Sequence, residues 1–392
     1  MMTPVQQVVM AVIQITVLIS IILLIVPFMT FAERKVIGYI QVRLGATRQA
    51  GGIRGFAAGI NKLSWAMGRI PVLSFFRGLP VFAADGLKLL LKEDIVPDRA
   101  DRFVFVIAPV VCMIPAFATF AVICFYPGTL FVFPDQFPIV GGLPFTGFLT
   151  DISVGLLYIM AVGSIGVYGI VLGGWASNSK YPLLGGLRSA AQIISYEIPL
   201  SLSLLAAVVL SGTLNFRELS IYLAGVPTVT AAGAVVQMPL IAAIPLFFGF
   251  FFYLTCGFAE TNRVPFDLAE AETELVSGFH TEYTGMKFAW FMLAEYANMM
   301  AVSAIAAGFF LGGHYLLPFG LQRFVPDSIP FLAQPSLLFF FGKVFFLLFV
   351  FLWVRATLPR YRYDQLMSVG WKWLIPVTLV NLLVAAAIRF TF

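Results

Sequence analysis

Residues 8–31 read VVMAVIQITVLISIILLIVPFMTF, an unbroken run without one charged side chain, and Ala32-Glu33-Arg34-Lys35 follows at once. At about 1.5 Å of helix per residue the run is longer than the roughly 30 Å hydrocarbon core of a bilayer. Its apolar residues are continuous and do not alternate, which predicts a helix and excludes the strand of a β-barrel. No Lys or Arg precedes it and no small-residue cleavage site closes it, so it reads as a retained helix and not a removed signal. The charged cluster that ends it sets the cytoplasmic border and sends the N-terminus outward.

Seven further runs follow, near 103–126, 152–174, 192–212, 238–258, 286–311, 337–355 and 371–390. The expected fold is therefore all-α: a polytopic membrane bundle of about eight transmembrane helices, with residues 1–392 forming a single membrane domain. Composition agrees, since 60% of the 392 residues are apolar and 11% charged, against roughly 45–50% and about 25% in a soluble domain. Of the 24 Lys and Arg residues, 20 fall in or beside the loops 32–102, 175–191, 259–285 and 356–370. The positive-inside rule places these loops in the cytoplasm and both termini outside. The net charge of +5 is then a topology signal, and nucleic-acid binding is a poor reading of it. Cys112, Cys124 and Cys256 lie inside apolar runs and form no CxxC or Cys/His pair, so a metal centre, an iron-sulfur cluster or a disulfide framework lacks ligands.

The first cytoplasmic loop is long enough to need structure of its own. In residues 84–94, Asp85, Lys88 and Lys92 share one helical face while leucines cover the rest, which predicts an interfacial helix. Residues 53–78 carry Arg54, Lys62, Arg69 and Arg77 on little more than a third of a helical wheel, with Pro71 as a breaker. Residues 259–282 gather Glu260, Asp267, Glu270, Glu272, Glu274 and Glu282. A solvated acidic loop is one reading. Against it, the carboxylates are interleaved with Phe266, Leu268 and Leu275, and crowded, partly dehydrated carboxylates retain protons and can pass them on.

Two acids fall inside spans: Glu197, beside Tyr196, and Glu295, beside Tyr296. An ionised acid at mid-bilayer costs on the order of 2.5–3.5 kcal/mol on insertion scales, so each needs a proton, a partner or water. Either each is a lone acid satisfied by a neighbour, or the two belong to a proton relay around the acidic loop. The last cytoplasmic segment, Arg355 to Asp364, interleaves cations with aromatics and reads as an interfacial belt or a docking patch. The sequence holds no phosphate-binding glycine loop, zinc motif or nucleophile elbow.

Ala32 to Gly45, the helix 84–94 with Asp98-Arg99-Ala100-Asp101-Arg102, and segments 175–197, 259–298 and 353–366 together resemble the H-type membrane subunits of proton-pumping NADH:quinone oxidoreductase, respiratory complex I. Their mitochondrial counterpart is NADH dehydrogenase subunit 1. The resemblance covers nearly the whole chain. It implies a bacterial inner-membrane protein that forms the membrane half of a quinone tunnel and holds no redox centre. NADH, flavin and iron-sulfur clusters would belong to partner subunits, some hydrophilic and some antiporter-like. By matching positions it implies that Arg34, Asp85, Lys88, Phe291, Arg263 and Asp267 lie at the tunnel. Glu270, Glu272 and Glu274 would complete the acidic loop; Glu197, Glu260, Glu282 and Glu295, with Tyr196 and Tyr296, would continue a polar path inward. Arg188 and Arg355 would be countercharges. Two departures stand out: Gly45-Ala46-Thr47-Arg48 precedes what looks like an insertion of about 20 residues within 51–78, and Ala269 replaces a family-typical Pro. The rival readings are the equivalent component of a membrane-bound hydrogenase, a stand-alone ion carrier, and a passive scaffold.

Overall fold

The computed structural model describes residues 4–43, 54–67, 69, 79–134, 142–229, 235–268, 275–326 and 330–391. Among these, eight helical segments are long and apolar enough to cross a membrane, one for each run read from the sequence. α1 (Pro4–Ile40) continues well beyond the first apolar run, because Glu33 to Ile40 contains no proline and its one glycine, Gly38, is tolerated within a helix. α2 (Arg54–Met67) and α3 (Leu79–Leu91) supply the structure expected in the first loop, and the helix predicted at 84–94 begins five residues earlier. Lys62 and Arg69 are exposed, and the Arg69 guanidinium sits 3.6 Å over the Trp65 ring. The Arg54 side chain, and Ala46, Thr47, Arg48, Pro71 and Arg77 altogether, lie outside what is described.

α4 (Arg102–Ala118) starts where the Asp101 carboxylate accepts from the Phe103 and Val104 amides at 3.2 and 3.3 Å, satisfying two of the amides that a helix start leaves open. A hairpin, β1 (Thr129–Val132) with β2 (Pro144–Thr146), leads to α5 (Gly155–Ala176) and α6 (Lys180–Ser211). Here the structure corrects the sequence reading: 175–191 is not a loop. Only a three-residue turn separates the helices, and α6 opens twelve residues before its apolar run. Glycines make this possible, since a Cβ on Gly174 would stand 2.5 Å from the Pro182 carbonyl oxygen. After α7 (Phe216–Leu223) come α8 (Ala243–Glu260), α9 (Gly285–Phe309) and α10 (Leu337–Thr357). α11 (Tyr363–Ser368) continues through one wide i→i+5 turn, Val369–Leu374, into α12 (Ile375–Thr391).

α6 packs on α5, α8 and α12; α9 packs on α1, α4, α8 and α10. α9 is the most enclosed element: from Ala294 to Phe309 every residue is buried except Asn298, which is half-buried. Such a helix, apolar all round, carries Glu295 into the interior of the bundle.

Candidate functional site

The predicted site residues resolve into three neighbouring groups. The outermost is a pair between α1 and α3, Arg34 Nη1 to Asp85 Oδ2 at 2.6 Å, with Arg34 exposed, Asp85 half-buried and Lys88 exposed one turn on. Phe291 is not with them. It is fully buried, with its ring edge-on to Phe279, His280 and Tyr283 at 5.3, 5.3 and 4.9 Å.

The second group is a chain of charged and polar side chains around the first half of α9. Arg263 lies 3.2 Å from Glu295, and His280 Nε2 lies 3.4 Å from the other oxygen of the same carboxyl. The Arg263 guanidinium also stacks 4.4 Å over the Tyr296 ring, whose hydroxyl donates to Glu33 at 2.7 Å. Glu33 in turn pairs with Arg355 at 2.6 Å. Arg263 and Glu295 are 4% and 7% exposed. At that burial a charge is tolerated only when it is paired, and the Arg263–Glu295 ion pair, with His280 against the same carboxyl, supplies that pairing. Arg355 thus has Glu33, an acid outside the set that the resemblance matched it with, as its ion-pair partner. Arg188 and Glu282 are half-buried.

The segment that delivers Arg263 is pinned from α6. Buried Gln192 donates through Nε2 to the carbonyls of Ala259 and Phe266, both at 2.7 Å, and to Asn262 at 3.3 Å. The two ends of residues 259–266 are thereby held to one amide. Beyond it, buried Asp267 pairs with Arg360 at 2.9 Å. Burial pushes the Asp267 carboxyl above the usual carboxylate range, and the Arg360 guanidinium opposes that push. Glu270, Glu272 and Glu274 lie outside the described residues.

The third group lies within the bundle. Glu197, on α6, is hydrogen-bonded by the Ser164 hydroxyl of α5, and Tyr196 donates to the Leu366 carbonyl at 2.9 Å. Glu197 and Glu260 line one cavity of about 40 Å³; Glu260 and Glu295 line a second of about 30 Å³. With about 10–15 Å³ needed for a water, and polar groups to bind it, each cavity has room for about two to four.

Sequence reasoning assigned no role to Glu33, His280, Arg360, Gln192, Ser164 or Asn298. For Glu33 a signal existed, an acid at the end of an apolar run beside Arg34 and Lys35. For Gln192 and Asn298 there was only a lone amide in an apolar helix.

The model of a protein family described as NADH dehydrogenase matches residues 13–386. A Geobacter sulfurreducens protein, named as the first H-type subunit of NADH-quinone oxidoreductase, is 44% identical, over 94% of this chain and 91% of its own length. A Geobacter metallireducens protein, named as the second H-type subunit of NADH-quinone oxidoreductase, is 43% identical, over 94% and 92%.

Proposed function

The chain belongs to the NADH dehydrogenase family, and from that premise we propose that it forms the membrane part of a quinone site and couples quinone reduction to proton translocation through its buried carboxyls. The chain carries no redox chemistry alone. Electrons reach the quinone from NADH through flavin and iron-sulfur clusters in hydrophilic partner subunits, and antiporter-like membrane subunits take up the signal. Both termini lie on the outer face of a bacterial inner membrane.

The observation that supports this reading best is the continuity of polar groups from the surface to mid-bundle. Glu33, Tyr296, Arg263 and Glu295 touch in sequence, and from Glu295 two cavities lead through Glu260 to Glu197. Arg34, Asp85 and Lys88, on the interfacial surface of α1 and α3, mark the approach for a quinone headgroup; Arg263 and Asp267 lie further in. Reduction of the quinone draws protons or creates negative charge beside Arg263. The Arg263–Glu295 pair then loosens, and the carboxyl of Glu295 exchanges its arginine partner for a proton supplied through the cavities.

Replacing Glu295 by Gln in the assembled complex tests this. Quinone reduction coupled to proton uptake should fall by a factor on the order of 10², while reduction of a soluble acceptor that bypasses the quinone stays intact. Unchanged pumping and turnover would remove Glu295 from the path and leave a scaffold reading.

A further inference from the structure

The two cavities do not merely share Glu260. Gly163 of α5 and Asn298 of α9 line both as well, while Ser164, Glu197 and Tyr253 face only the first and Cys112, Asn262 and Glu295 only the second. Resting on the function proposed above, we infer that Gly163 and Asn298 form the junction through which water joins the Glu197 end of the path to the Glu295 end. Gly163 keeps the junction open. Asn298 is a positioning residue that orients the water passing it.

Gly163 is not explained by packing. A Cβ on Gly169, two turns along α5, would stand 2.6 Å from the Cys112 backbone nitrogen, and one on Gly174 would strike the Pro182 carbonyl. Those glycines let helices approach. A Cβ on Gly163 would meet only the Glu260 Oε1 oxygen within 4 Å, at 3.9 Å. An alanine there would fit without collision and would favour the helix by about 1 kcal/mol. What the missing methyl provides is space, directly in front of the Glu260 carboxyl.

Asn298 faces this space from the other side. It is the single residue between Ala294 and Phe309 that is not buried, and it stands one turn after Glu295 on the same helix face. Its amide both donates and accepts but does not titrate. It can therefore orient a water between Glu260 and Glu295 without holding the proton itself.

The test uses the whole complex in proteoliposomes, measuring NADH:quinone turnover and protons translocated per NADH, with a quinone-independent acceptor assay to score assembly. Gly163→Val fills the junction and should reduce coupled turnover at least about tenfold. Gly163→Ala, whose methyl meets no backbone, should give a smaller loss in the same direction and keeps the test open if the valine chain fails to assemble. Gly342→Ala, another glycine with open space around it but lining neither cavity, should have no effect. Asn298→Leu keeps the volume and removes the amide, so the proton-to-NADH ratio should drop; Asn298→Ser, with a hydroxyl and room for one more water, should restore it. Full turnover and a full ratio in Gly163→Val, Gly163→Ala and Asn298→Leu, with Glu260→Gln impaired, would overturn the junction and leave the acid path standing. If Glu260→Gln were also unimpaired, path and junction would fall together.

Discussion

Asp267 and Arg360 lie 93 positions apart in the chain and 2.9 Å apart in space. The sequence marked Asp267 as an acid among apolar neighbours, and the raised carboxyl expected of that setting is what burial produces. It did not mark Arg360, which looked like one more cation in an interfacial belt, because a pairing across such a separation is a property of the fold. The sign of its effect can be tested. A carboxyl held above its unfolded range by burial favours the fold at low pH, and that contribution is lost as pH rises through the folded value. The Arg360 guanidinium restrains that shift, so Arg360→Met should carry Asp267 further up. The acid limb of the quinone-reduction pH profile should move to higher pH, and adding Asp267→Asn should cancel the movement. An unmoved profile in Arg360→Met would show that Asp267 does not titrate in turnover.

At the scale of elements, every span was legible because its apolar run is long and holds at most two charged residues. What escaped was the opening of α6, where Lys180, Arg188 and a glycine pair resembled a polar turn. These glycines are packing surfaces. An added Cβ on Gly185 would stand 2.8 Å from the Gly278 Cα and 2.9 Å from the Phe279 nitrogen, and neither backbone atom can swing aside as a side-chain tip would. Gly185→Ala should therefore push the 278–280 turn away from α6 and draw His280 off Glu295, at a cost of about 1–3 kcal/mol for overpacking. A lower melting temperature of the complex, with quinone reduction lost at lower temperature than in the parent, is the expected result. Gly86, on α3, has open space around it, and Gly86→Ala should leave the melting temperature unchanged. An unchanged melting temperature in Gly185→Ala would show that the turn yields freely and that its position is not set by α6.

For the molecule as a whole, the charge bias of the loops has a structural counterpart. The ion pairs Arg34–Asp85, Lys287–Asp94, Arg355–Glu33 and Arg360–Asp267 all fall at the helix ends that the Lys and Arg excess assigns to the cytoplasm. Those ends hold the residues proposed to meet the quinone, so orientation and function stand together: inverted, the site would open away from the compartment where NADH is oxidised. The three native cysteines are buried and leave little background for a thiol reagent. Single replacements at exposed positions, Val5→Cys and Phe390→Cys near the termini and Asp98→Cys after α3, therefore decide the topology. In right-side-out vesicles a membrane-impermeant maleimide should modify the first two and spare the third. In inverted vesicles the pattern should reverse, and NADH oxidation should become accessible without permeabilisation. Labelling of Asp98→Cys from the outside would place the Arg34–Asp85 approach on the wrong side of the membrane for a quinone site fed by cytoplasmic NADH, because charged side chains fixed by the positive-inside bias do not cross the bilayer after insertion.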